Sequence, residues 1–152
     1  MRKRWFPKVE NSPEPLSMVV ERQVRFEEVD ALGIVWHGRY PGYFEDARVA
    51  LSAKYGLGYM DFYSKGVVTP IKQMHVEYHQ PLRFEDHFTI EGRWHWSAAA
   101  RLNFEFILRN AQQQMVTSGY TVQMLLDCEY NMLVVPPLFY QQFLQRWQEG
   151  GV

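Results

Sequence analysis

Residues 40–56, Tyr40-Pro41-Gly42-Tyr43-Phe44-Glu45-Asp46-Ala47-Arg48-Val49-Ala50-Leu51-Ser52-Ala53-Lys54-Tyr55-Gly56, hold the one long helical pattern in a chain of 152 residues. Tyr40, Tyr43, Phe44, Ala47, Ala50, Leu51 and Tyr55 recur at three and four residues and so share one face. Pro41 suits a first helical turn, where its missing N–H has no intrahelical partner to lose. Gly56 is placed to end the helix as the residue just past its cap. On both sides the period changes to two, the mark of strands. Upstream, 18–29 alternates, with Val20, Arg22, Val24, Phe26 and Glu28 on one face. Downstream, 57–68 reads as a connection, and 69–80 alternates until Pro81. Phe88, Ile90, Gly92, Trp94 and Trp96 share a face of the next strand, and Leu102, Phe104, Phe106 and Leu108 a face of the one after. Asn110-Ala111-Gln112 turns the chain into a last strand expected over 114–127. Pro136-Pro137 opens a terminal amphipathic helix carrying Leu138, Phe139, Phe143, Leu144 and Trp147. This order predicts an α+β fold: an antiparallel sheet of about five strands wrapped around one long helix, plus a C-terminal helix.

Composition narrows the function classes. The length suits one domain, expected over 18–148, and 47% hydrophobic content supplies a core. Residues 1–17 carry Pro7, Pro13 and Pro15 and read as a flexible leader, with Trp5 and Phe6 able to dock on a neighbour. A formal net charge of -1 gives no basic footprint for nucleic acid. No apolar run of about 18 residues occurs, so no membrane span is expected. The single cysteine, Cys128, permits neither an intrachain disulfide nor a cysteine zinc cluster, which fits a cytoplasmic setting.

The chemistry is expected in 26–40, Phe26-Glu27-Glu28-Val29-Asp30-Ala31-Leu32-Gly33-Ile34-Val35-Trp36-His37-Gly38-Arg39-Tyr40. An acid ends a strand, an apolar glycine-bearing loop follows, and the loop feeds the long helix. A helix N-terminus presents unpaired N–H groups and partial positive charge. One directed N–H stabilises a developing oxyanion by about 2.7–4 kcal/mol. The diffuse dipole acts on an exposed charge by only about 0.3–1 kcal/mol. The directed N–H therefore dominates. A carboxylate on the preceding loop could attack the carbonyl carbon or draw a proton from water.

This stretch resembles the active-site loop of the 4-hydroxybenzoyl-CoA thioesterase family, whose members have the hot-dog fold. The run Asp30-Ala31-Leu32-Gly33-Ile34-Val35-Trp36-His37 matches the family pattern of Asp, two variable residues, Gly, Ile or Val, Val, an aromatic, then His or Tyr. The likeness continues through 43–48, 69–71 and 78–86 and spans roughly 20–137. It implies hydrolysis of an acyl-CoA thioester to free acid and coenzyme A, with no metal or cofactor. Asp30 would be the catalytic carboxylate, and His37 would polarise the carbonyl through its backbone N–H. Gly33, Val35, Trp36, Gly38 and Tyr40 would line the substrate, and Glu45 would stand near the acyl end. The resemblance also implies a homodimer or homotetramer with active sites between subunits. One departure concerns 97–101: a connection that is basic in some relatives keeps only Arg101 to meet the nucleotide phosphates. A hot-dog hydratase, or a module that binds acyl thioesters without turnover, are the rival functions.

Simpler roles compete at several positions. Glu45 and Arg48 are three apart on the helix and could form a surface ion pair. His75 and His79 alternate on a strand and lack the helical spacing of a zinc motif. His87 and His95 are expected in solvent, and Cys128 has no visible activating partner. Trp94, Trp96, Phe104 and Phe106 suit core packing better than an acyl pocket.

Overall fold

The computed structural model describes residues 5–152; the basic start of the leader, 1–4, lies outside the described residues. Strand β1 (Leu16–Gln23) is followed by α1 (Tyr40–Lys54), a short α2 (Tyr59–Ser64) and β2 (Val67–Val68). Then come β3 (Ile71–Tyr78), β4 (His87–His95), β5 (Arg101–Asn110), β6 (Met115–Met124), β7 (Leu126–Asp127) and α3 (Leu138–Gln148). Five strands form one antiparallel sheet in the order β1-β4-β5-β6-β3, and β2 pairs with β7 in a small ribbon. This is the hot-dog arrangement expected from the sequence, with the long helix lying against the inner face of the sheet.

The inner face is apolar where the pattern placed it. Ile90, Trp94, Phe104, Phe106 and Leu108 are fully buried. Phe44 of α1 stacks on Phe106 at 4.6 Å between ring centroids. Trp94 meets Phe143 and Trp147 of α3, so it belongs to the core and not to a pocket. The approach of α1 to the sheet depends on Gly119: a Cβ there would lie 2.2 Å from the His75 carbonyl oxygen and 2.8 Å from the Phe44 ring. Pro41 stands in the first turn of α1, and Gly56 takes a left-handed φ of 69° just beyond it.

Five expectations are corrected. The first strand begins at Leu16, inside the expected leader, and stops at Gln23. It stops where β4 begins, at the pair Gln23↔His87, and 26–28 turns as a 3-10 helix instead. The last strand breaks at Leu125, and Leu126 moves across to pair with Val68. The connection 57–68 contains α2, whose Gly58 N–H is taken by the Asp61 carboxylate at 2.8 Å. Trp5 and Phe6 pack on the outer face of their own sheet, against His75, Tyr120 and His95. His95 is accordingly half-buried and meets Glu105 at 3.0 Å, whereas His87 is exposed as expected.

Candidate active site

Asp30 stands on a tight turn between two 3-10 helices, Phe26–Glu28 and His37–Arg39. Its backbone N–H donates to the Ile34 carbonyl at 2.8 Å, and its carbonyl accepts the Gly33 N–H at 3.0 Å. Gly33 closes the turn with φ of 78°, a conformation that penalises a side chain. The side chain joins in: Asp30 Oδ1 accepts the Leu32 N–H at 2.8 Å. That bond fixes the carboxylate while Oδ2 takes no bond from the described residues. The turn is tied to the sheet through Val35, which is buried and donates its N–H to the Leu82 carbonyl at 2.8 Å. Trp36 donates to the Glu28 carbonyl at 2.9 Å, so both flanks are held.

Six residues after the turn starts, the chain enters the helix. Trp36 is the cap, with extended backbone, and His37 and Gly38 are the first helical residues. Their N–H groups precede any intrahelical acceptor, and no other backbone carbonyl among the described residues takes them. The Trp36 indole lies over Gly38, close enough that a Cβ there would meet the ring. The Tyr78 hydroxyl of β3 donates to the His37 carbonyl at 2.7 Å and holds the helix start from the sheet side. Tyr40 is buried, with its ring edge-on to Tyr78 at 5.0 Å. Burial raises the Tyr40 and Tyr78 hydroxyls above the usual range, so both remain donors at neutral pH. Burial, with the Glu28 carboxylate second, raises Tyr43 further.

The rim of this turn is apolar and open. Leu32 is 79% exposed and Trp36 50%, and Phe26 and Phe84 meet edge-on at 5.8 Å beside them. Glu45 is exposed on α1 and forms no ion pair with Arg48, because Arg48 turns inward and donates to the Tyr59 hydroxyl. Sequence spacing carried that signal: Arg48 lies four after Phe44 and three before Leu51, on the buried stripe. Arg101 is not brought to the turn within this chain. It opens β5 opposite Met124, whereas the turn lies near the other end of the sheet, where β1 finishes against His87. His75 meets Glu77 at 3.3 Å and His79 meets Ser118 at 2.9 Å. Among the described residues no group of three His, Cys, Asp or Glu side chains is placed to hold a metal. Cys128 is exposed and free.

The model of the thioesterase-like superfamily matches residues 24–147, which take in the turn, both long helices and all but the first strand. The chain belongs to the thioesterase-like superfamily. Superfamily relatives include the acyl-CoA thioester hydrolase YbgC of Escherichia coli O157:H7, 24% identical over 105 residues, covering 69% of this chain and 78% of that protein. An acyl-acyl carrier protein thioesterase of Arabidopsis thaliana chloroplasts, ATL3, is 25% identical over 126 residues, 82% of this chain and 66% of that one. The Bacillus subtilis protein YneP is 38% identical over 64 residues, so the match spans about half of its length, 46%, and 42% of this chain. Among solved structures, the DHNA-CoA thioesterase of Staphylococcus aureus superposes with a TM-score of 0.76 at 20% identity, over 90% of this chain and 96% of that one. That likeness shows the shared superfamily fold.

Proposed function

We propose that the protein is an acyl-CoA thioesterase, hydrolysing an acyl-CoA thioester to the free acid and coenzyme A. The observation that carries the reading is the Asp30–His37 turn: one carboxylate oxygen pinned by Leu32 and the other free, seven residues before a helix start with unclaimed N–H groups. Superfamily membership over residues 24–147 supports it, as do relatives named for thioester hydrolysis.

The chemistry follows from those groups. The thioester carbonyl oxygen points at the His37 and Gly38 N–H groups. Asp30 Oδ2 takes a proton from water, whose oxygen adds to the carbonyl carbon; alternatively Oδ2 adds directly, and water cleaves the resulting anhydride. Negative charge builds on the carbonyl oxygen, where the helix N–H groups stabilise it. The C–S bond then breaks, and the thiolate leaves to take up a proton. No cofactor enters. Gly33, Val35, Trp36, Gly38 and Tyr40 shape the mouth, Glu45 faces the acyl group, and Arg101 meets the nucleotide from a second subunit. The open apolar rim and the unpaired edge of β3 support a homodimer, with tetramers as a further assembly.

Asp30→Asn keeps the shape and the Leu32 bond but removes the base. Thiol release from the best acyl-CoA should fall by about 10²–10⁴-fold with the fold unchanged. Turnover within a few-fold of wild type would remove Asp30 from the mechanism.

A further inference from the structure

Backbone bonds tie the two limbs of the Asp30 turn together as far as Trp36. The Asp30 N–H donates to the Ile34 carbonyl at 2.8 Å, Val29 faces Val35 in an antiparallel bridge, and the Trp36 N–H donates to the Glu28 carbonyl at 2.9 Å. The groups that would meet a carbonyl oxygen lie past the last of these bonds. His37 and Gly38 follow Trp36 in the second 3-10 helix, and their N–H groups are unclaimed. Both residues are exposed, so packing does not fix them. Backbone pairing therefore stops one residue short of the atoms it would have to place.

One side chain carries the tie further. Arg39 Nη2 donates to the Glu27 carbonyl at 2.9 Å, which joins the second 3-10 helix back to the first. The first helix ends because the Asp30 N–H, which would continue it onto Glu27, is taken by Ile34. Glu27 is left with a terminal carbonyl, and an arginine side chain is a suitable cap for one. The backbone N–H of Arg39 donates to the Trp36 carbonyl at 2.9 Å and closes the turn that holds His37 and Gly38. The Arg39 side chain thus grips the Asp30 limb while its backbone grips the N–H groups. Among the described residues no other side-chain hydrogen bond joins 36–39 to 25–30. The Tyr78 hydroxyl holds the same turn from the sheet instead. Arg39 is exposed and has no ion pair among the described residues, so neither core packing nor a salt bridge accounts for its place.

We propose that Arg39 is a positioning residue: it locks the N–H groups of His37 and Gly38 to the limb that carries the Asp30 carboxylate. It touches no substrate. Its effect on rate rests on the thioesterase reading; its effect on the order of the helix start rests on geometry alone. Oxyanion donors must lie about 2.7–3.1 Å from the developing charge. A misplacement of about 1 Å can cost about a hundred-fold in rate. An exposed arginine bonded to one carbonyl has little hold on the fold, so rate and local order should respond where melting does not.

The experiment uses the full chain with Arg39→Met, Arg39→Ala and Arg39→Lys. Thiol release from the best acyl-CoA should show kcat lower by about ten- to a hundred-fold in the Met and Ala variants, with KM and the melting temperature near wild type. Arg39→Lys, which keeps a donor but loses the planar fork, should fall between. Guanidinium ion at a non-denaturing concentration should restore part of the Arg39→Ala rate, whereas sodium and ammonium at equal ionic strength should not. About 1 M sodium chloride shortens the screening length to about 3 Å. The ratio of wild-type to Arg39→Met rates should survive it, because a tie is a bond and not a field. By nuclear magnetic resonance, the nitrogen–proton NOE of His37 and Gly38 should drop in Arg39→Met, marking faster local motion, while that of Gly33 holds. A wild type that releases no thiol from any acyl-CoA would end the thioesterase reading, and the NOE would still decide whether Arg39 holds the helix start. Unchanged NOE values at His37 and Gly38 overturn the proposal. So do wild-type kcat in Arg39→Met, a rate loss that disappears in salt, or one that comes with a collapse in melting temperature and no rescue by guanidinium.

Discussion

Tyr78 links the sheet to the start of the helix through a single hydrogen bond, its hydroxyl to the His37 carbonyl. The side chain is about half exposed, so water replaces part of what the bond supplies, and stability depends on it little: below about 1 kcal/mol. Under the proposed mechanism its effect on rate is larger, because there the His37 N–H points where the oxyanion forms, and small misplacements of reacting groups lower rates steeply. Tyr78→Phe should therefore lower kcat several-fold while KM and the melting temperature stay near wild type. Equal kcat in the two proteins would show that the helix start is held by its own turn. At this scale the sequence was legible wherever the interaction is local. The Asp30–Leu32 bond and the left-handed Gly33 lie within four residues and follow from residue type. Arg48 was misread because its charge spoke for a surface pair with Glu45, while its place on the apolar stripe spoke for burial; packing decided.

Where Phe44 of α1 reaches β6, the spacing is set by a missing side chain. Phe44 lies over Gly119, between the Phe106 ring and the backbone of β3. A methyl group on Gly119 would face the His75 carbonyl oxygen at 2.2 Å, so backbone must move as well as the Phe44 ring. Overpacking of this kind costs about 1–3 kcal/mol. Gly119→Ala should melt several degrees below wild type, and since Phe44 lies one turn beyond Tyr40, activity should fall with it. Unchanged melting would mean that β3 and β6 can separate here at little cost. Strand and helix types were readable from period alone, since alternation and the three-four repeat depend on the burying face. Element ends were not: β1 stops where its partner β4 starts, and β6 breaks at Leu125 because Leu126 pairs with Val68. Both ends are set by residues more than fifty positions away, beyond the reach of a local pattern.

At the scale of the whole molecule, the five-stranded sheet ends on two edge strands, β1 and β3. β3 pairs with β6 on one side only, so along its eight residues the other row of N–H and C=O groups has no strand partner. Ile71, Met74 and Tyr78 are exposed on it, and Lys72 is its only basic charge apart from the histidine. An edge of this length with exposed apolar side chains is a template for another strand. The outer face is less available, since Trp5 and Phe6 of the same chain occupy it. Pairing of β3 with β3 of a second copy would continue the sheet and cover Met74. It would also cover the apolar rim beside Tyr78, where the Asp30 turn stands open. Met74→Lys places a charge on that seam without touching a buried residue of the single chain. Light scattering should give wild type twice the mass of one chain and the variant one. Thiol release by the variant should drop about ten-fold or more at low protein concentration and recover as concentration rises, because association is governed by mass action. A wild-type protein that stays monomeric and turns over at a specific rate independent of concentration would place the complete site within one chain, with Arg101 no part of it.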